Sequence, residues 1–307
     1  MVSIKTVAVL GGSGNLGPAI VRELVSAGFD VTGITREGST NSTLKYPETL
    51  AVRKVDYTSF DALKSAFDGQ DAVVSVVATL AIPGQKTAID AAVAAGVKRF
   101  IPSEFGINTR KLEGKTIGKI LASKIGIVDY LDEKSKENPS FTWTGLSTGL
   151  FFDWGLDVGS LGINIKDKTA TVVDSGNEKF QTSNLHQIGR AVAGVLKHPD
   201  ETANKYLATS SFNPSHNELI SAVEEIIGSK LTINHLNSAD LHKAGEEKLA
   251  QGDFRAFGDF LKAHNHADGA NNDVKEDDSD NLNALIGLPY EDLKESLRDW
   301  LKKAGAI

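Results

Sequence analysis

The segment Gly11-Gly12-Ser13-Gly14-Asn15-Leu16-Gly17 follows a short β-branched run, Thr6 to Leu10, and precedes an apolar helical stretch, Pro18 to Gly28. Glycines at 11, 14 and 17 permit a tight strand-to-helix bend, close approach of backbone to a pyrophosphate, and packing of helix on strand. A helix starting there offers unpaired amides and the positive end of its dipole to phosphate oxygens. At the first strand-to-helix junction of an alternating chain, this turn predicts a doubly wound α/β fold that holds a dinucleotide.

The alternation continues. Asp30 to Thr35, Leu50 to Val55, Ala72 to Val77, Arg99 to Ile101 and Phe141 to Leu146 read as further strands, and Phe60 to Phe67, Thr87 to Ala95 and Ile117 to Leu131 as the helices between them. Six strands with right-handed crossovers make a Rossmann-like, doubly wound parallel sheet. After Phe152 the rhythm breaks into irregular segments, while Leu185 to Leu196 reads as a helix and Lys205 to Thr209 as a strand returning to the sheet. The expected organisation is a Rossmann domain over 1–152, completed by 182–210, with a smaller, discontinuous C-terminal substrate domain from 153–181 and 211–307. The stretch His264 to Asp280 reads as a surface loop before a last helix, Tyr290 to Lys303.

Composition narrows the function. With 33 Lys and Arg against 40 Asp and Glu, the 307-residue chain carries a net charge of -7 and no global positive field for nucleic acid or anionic lipid. It has no cysteine, which removes disulfides, thiolate catalysis and sulfur-ligated metal. The start shows no signal-like segment, and no apolar window is long enough for a membrane helix, so a cytoplasmic protein without membrane or nucleic-acid partners is expected. Asn41-Ser42-Thr43 matches a glycosylation pattern only by chance in that setting. His264, His266 and Asp268 stand close in sequence but lack a further ligand, so no metal is expected.

The second strand ends Thr35-Arg36-Glu37. An arginine there accepts the 2'-phosphate of NADP, whereas a carboxylate would bind the ribose hydroxyl of NAD, so Arg36 points to NADPH/NADP. Asp56, just after the third strand, is placed either for the adenine side of a dinucleotide or as a helix N-cap. Ala78 and Thr79 follow the fourth strand where the cofactor crosses the carboxyl edge of the sheet.

The glycine turn, Thr35-Arg36-Glu37, Gln85 to Ala92 and Lys98-Arg99-Phe100-Ile101-Pro102-Ser103-Glu104-Phe105-Gly106 together resemble the NmrA-like family. Within it the likeness is to the isoflavone, phenylcoumaran benzylic ether and pinoresinol-lariciresinol reductases of the atypical short-chain dehydrogenase superfamily. The resemblance is strongest over residues 5 to about 155. It implies cofactor contacts from Gly11, Ser13, Gly14, Asn15, Leu16, Gly17, Gln85, Ser103 and Phe105, and an active-site lysine at Lys124, with Lys115 and Lys119 as the alternatives. The tyrosine that commoner short-chain dehydrogenases carry four residues earlier is replaced by Ile120.

Phe105, Gly149, Leu150, Phe151 and Phe152 are the expected substrate pocket, with Trp154 in the same aromatic cluster. Phe254, Phe257 and Phe260 recur at helical spacing and are expected in the core. The reading is an NADPH-dependent reductase of a small aromatic or conjugated metabolite, monomeric or homodimeric. A dinucleotide sensor without turnover and a quinone reductase are the alternatives.

Overall fold

The computed structural model describes residues 3–38 and 50–307, so Asn41-Ser42-Thr43 lies outside the described residues. The first part of the chain forms β1 (Thr6–Leu10), α1 (Gly17–Ser26), β2 (Asp30–Arg36), β3 (Ala51–Val55), α2 (Phe60–Phe67) and β4 (Ala72–Ser75). It continues through α3 (Gln85–Ala94), β5 (Arg99–Ile101), α4 (Thr116–Ile120), α5 (Ala122–Glu137) and β6 (Thr142–Ser147). Beyond β6 come β7 (Leu150–Phe151), α6 (Phe152–Asp157), β8 (Ile163–Asn164), β9 (Thr169–Val173) and β10 (Thr182–Ser183). Then α7 (Leu185–Lys197) and β11 (Lys205–Ala208) return to the main sheet.

That sheet has seven strands in the order β11-β6-β5-β4-β1-β2-β3, every neighbour parallel. Helices cover both faces, which is why the central strand β1 is buried continuously from Val7 to Leu10 instead of alternating. Ile20 and Leu24 of α1 pack with Ile188 and Val192 of α7 on one face. Leu63, Ile89, Val128 and Leu131 from α2, α3 and α5 fill the other. Strand order reverses between β1 and β4, and the crevice there lies at the carboxyl ends of the strands.

The remaining chain forms α8 (His216–Ile227), β12 (Thr232–Leu236), α9 (Ser238–Ala250), α10 (Ala256–His266), α11 (Leu282–Ile286) and α12 (Leu293–Lys303). With α6, β8 and β9, the elements α8, β12 and α12 enclose a second core, which includes Phe152, Phe180, Phe212, Leu219 and Leu297, whereas Leu282 and Ile286 of α11 pack on the core of the main sheet. A small cluster of Ile107, Leu112, Ile117, Leu121, Ala256 and Phe260 joins α10 to α4.

Four expectations need correction. The helix expected over Ile117 to Leu131 is two helices, broken at Leu121, whose φ of -94° and ψ of 14° leave the α region. Residues 264–266 are the last turn of α10, not loop, because the apolar stripe of that helix packs on the body of the protein; Asn265 and His266 are buried. The last helix starts at Leu293 rather than Tyr290, since the Asp292 side chain accepts from the Glu295 amide and caps it there. Of the three phenylalanines expected in the core Phe254 is not there but exposed; Phe260 is buried, and Phe257 packs against the same cluster while also lining a cleft. Among the described residues no helix is long and apolar enough to cross a membrane.

Candidate functional site

The glycine turn connects β1 to α1. Gly17 is forced by packing: a Cβ there would lie 2.2 Å from the Gly12 carbonyl oxygen. Gly14 is different. Its backbone lies outside the left-handed region, and a Cβ would come no closer than 3.7 Å to any protein atom. Nothing within the protein requires glycine at 14, so the bare position leaves open a cradle that a side chain would fill. The N-cap of α1, Leu16, supplies no side-chain acceptor; Pro18 has no N–H and the Ala19 and Ile20 amides donate to the Leu16 carbonyl, so the amides of Leu16 and Gly17 are the ones at this helix start that keep their donors for an outside anion. Ser13 is half-buried, and Gly14 and Asn15 are exposed beside this space.

Arg36 is the exposed last residue of β2, level with Val55 of β3. Asp56 follows directly and is exposed; its Oδ1 accepts from the Thr58 amide at 2.9 Å and hydroxyl at 2.8 Å, which holds its pKa down. The N-cap of α2 is Ser59, which accepts from the Ala62 amide, so the capping role open to Asp56 falls to Ser59. Tyr57 carries a function that the sequence did not reveal. Its hydroxyl donates to the Ile34 carbonyl at 2.7 Å and accepts from the Gly11 amide at 3.1 Å, tying the turn to the end of β2. Burial pushes this phenol up to about 12.

Ala78 and Thr79 are exposed after β4. Gln85 and Ser103 are buried and engaged with the protein itself. Gln85 Oε1 accepts from the Ser103 amide at 3.0 Å, and the Ser103 hydroxyl donates to the Val77 carbonyl at 2.7 Å. Together they clamp the loops that follow β4 and β5. Glu104 is buried beside them, accepting from Thr109 at 2.5 Å and Tyr206 at 2.8 Å, and Phe105 faces the cleft next to them.

Lys124 stands in the first turn of α5 and lines a cleft of about 420 Å³ between the carboxyl edge of the sheet and α10. Its Nζ donates to the Glu104 carbonyl at 3.4 Å. Burial lowers its pKa below the usual lysine value, opposed by the nearby Glu104 carboxylate. Lys115 and Lys119 are exposed and outside this cleft. The break at Leu121 also separates Ile120 from Lys124, so the two are not consecutive positions on one continuous helix face; Ile120 packs on the small cluster beside α10 instead.

Gly149, Leu150 and Phe151 line the cleft with Phe105. Gly149 has φ +63°, and a Cβ would lie 2.0 Å from the Gln181 carbonyl oxygen, so β7 can pair beside β10 only with glycine before it. Phe152 does not line the cleft. It is 1 % exposed and packs edge-on against Phe212 at 4.6 Å in the second core, because β7 gives way to α6 at that residue. Trp154 takes a cleft position, edge-on to Phe151 at 6.4 Å. The opposite wall is Phe257, Leu261, Lys262 and His266 of α10. Their contribution depends on how α10 docks, and only their 3–4 residue spacing was visible beforehand.

The strand order, the turn at β1 and the cleft at the carboxyl edge define a Rossmann-type α/β protein with a second core beside its sheet. The chain belongs to the NmrA-like family, whose model matches residues 3–295. It is 31% identical over 300 residues to the oxidoreductase aprR of Aspergillus flavus, covering 96% of this chain and 98% of that one. It is 36% identical over 241 residues to the oxidoreductase poxI of Penicillium oxalicum, covering 78% and 76%. The leucoanthocyanidin reductase from Vitis vinifera, solved as a binary complex with NADPH, has the same fold, with a TM-score of 0.80 at 18% identity over 97% of this chain and 99% of that one.

Proposed function

We propose that this chain is an NADPH-dependent reductase that moves hydride to an electrophilic carbon of a small aromatic or conjugated metabolite. The observation that carries the reading is Lys124: an amine with a burial-lowered pKa inside an aromatic-walled cleft, at the edge of the sheet that bears an open glycine cradle.

Residues of the cradle suit a dinucleotide. The unpaired amides of Ser13, Asn15, Leu16 and Gly17 would hold the pyrophosphate, and Arg36 the 2'-phosphate. Asp56 and Ala78 would border the adenosine half, and Thr79, Phe105 and Lys124 the nicotinamide half. Gln85 and Ser103 would act by fixing the two loops on which those groups stand. NADPH, when bound, supplies the hydride.

The work of the chain is then electrostatic and steric. Phe105, Phe151 and Trp154 hold a flat ring and exclude water, which strengthens every polar interaction inside. Lys124 stabilises negative charge that develops on a substrate oxygen and delivers a proton to it, the lowered pKa bringing that transfer closer to neutral pH. No tyrosine stands among the described residues that line the cleft to serve as a second donor, which favours conjugate or benzylic reduction over simple carbonyl reduction.

The test is the consumption of NADPH by purified protein over a panel of quinones, enones and benzylic ethers. Turnover confined to enones or benzylic ethers supports the reading, and turnover of quinones alone moves it to quinone reduction. Tight NADPH binding without oxidation across the panel makes the protein a sensor.

A further inference from the structure

We infer that the substrate is an anion: a flat aromatic or conjugated acid whose carboxylate, or an equivalent ionised oxygen, is held by Lys262 and His266 of α10 while its reacting end lies toward Lys124. The inference rests on the reductase reading and narrows its substrate class.

The cleft is acid-free in an acidic protein. The chain carries -7, yet the described residues lining this cleft include Lys124, Lys262 and His266 and no aspartate or glutamate. Glu104, outside that lining, accepts from Thr109 and Tyr206 and its charge acts on Lys124. Asp259 of α10 pairs with Lys248 at 2.5 Å, and Lys262 forms no ion pair among the described residues. A cleft with aromatic walls, no carboxylate in its lining and an unpaired lysine at Lys262 attracts an anion to that lysine and disfavours a cation.

His266 adds a second observation. It is 4 % exposed, and its Nδ1 is enclosed with no hydrogen-bond partner. Phe180 meets its ring edge-on at 4.4 Å and His216 lies against it at 4.1 Å. An enclosed, orphaned N–H is costlier than an enclosed bare nitrogen, so the favoured tautomer carries its proton on Nε2. Burial, with help from His216, Lys262 and His264, keeps the ring neutral. That tautomer makes His266 a donor, and Lys262, one helical turn earlier, is a second donor on the same face. Donors on two separate elements, Lys124 on α5 and the Lys262–His266 pair on α10, match a ligand with acceptor oxygens at two positions.

Trp154 reports on occupancy without any turnover, because it lines the cleft and is 37 % exposed while Trp143 and Trp300 are buried. The probes are cinnamate and methyl cinnamate, which differ in charge and hardly in shape. We expect saturable quenching, lost in Trp154→Phe, with cinnamate binding about tenfold more tightly, the ratio that about 1.4 kcal/mol of charge-assisted hydrogen bonding gives. In Lys262→Met, a substitution at an exposed position, the acid should fall to within about threefold of the ester. His266→Phe should weaken the acid and spare the ester.

Equal binding of acid and ester by the wild type overturns the inference, as does an acid preference that survives Lys262→Met. So does the absence of saturable quenching by either probe. Titration with NADPH separates the two levels: acid preference without NADPH binding removes the reductase and keeps the anion site. NADPH-dependent turnover of neutral enones with no acid preference does the reverse.

Discussion

Gly14 and Gly17 stand three residues apart in one turn, yet the structure assigns them opposite burdens. At Gly17 a Cβ would press on the Gly12 carbonyl at 2.2 Å, a backbone contact that no rotamer relieves. Gly17→Ala should therefore destabilise the protein by about 1–3 kcal/mol or more. At Gly14 the nearest atom is 3.7 Å away and φ is ordinary, so Gly14→Ala should hold or raise stability, by up to about 1 kcal/mol through the unfolded chain.

Binding should show the reverse order. With wild-type protein, NADPH at about 100 times its dissociation constant adds about 2.7 kcal/mol, which raises Tm by about 4 °C for a chain of this size. Gly14→Val should lose that rise while its ligand-free Tm stays close to wild type, since its side chain occupies only the open cradle. The assay is thermal unfolding with and without NADPH, supported by titration. A Gly14→Val protein that keeps the full ligand-induced rise would refute the placement of the pyrophosphate, and one that melts as early as Gly17→Ala would refute the packing argument.

Four further outcomes are expected. Arg36→Ala should reduce the preference for NADPH over NADH by about tenfold or more in competitive titration, and an unchanged ratio would count against Arg36 as the 2'-phosphate ligand. Lys124→Ala should lower single-turnover rates by about 10² to 10⁴ with a smaller change in NADPH affinity, while Lys115→Ala and Lys119→Ala stay near wild type. Because Lys124 acts as the protonated donor, the wild-type rate should decline as pH rises through its lowered pKa, below the usual lysine value of 10.5. His216 is buried neutral, with its pKa lowered to about 4 from 6.5, so the unfolded chain takes up the proton first. Stability should fall as pH drops from about 6.5 to about 4, by about 3 kcal/mol at most, and His216→Phe should flatten that slope in urea unfolding curves.

The sequence by itself determined the βα order, the place of the glycine turn and the parallel sheet. These follow from signals confined to a few residues: the β-branched run before Gly11, the glycine spacing and the apolar period of each helix. Even β11 was legible, because a strand that pairs with β6 needs the same short apolar run as any other. Contacts between distant segments left no such local trace. Tyr57 ties Gly11 to Ile34 across two strands, and nothing about a tyrosine after a strand announces that reach. Phe151 and Phe152 are adjacent and chemically equal, yet one lines the cleft and the other the second core, because a strand ends and a helix begins between them. The wall built from Phe257, Lys262 and His266 exists only because α10 docks across the sheet edge. Helical spacing fixes which residues share a face, whereas the partner of that face is decided by the packing of the whole chain.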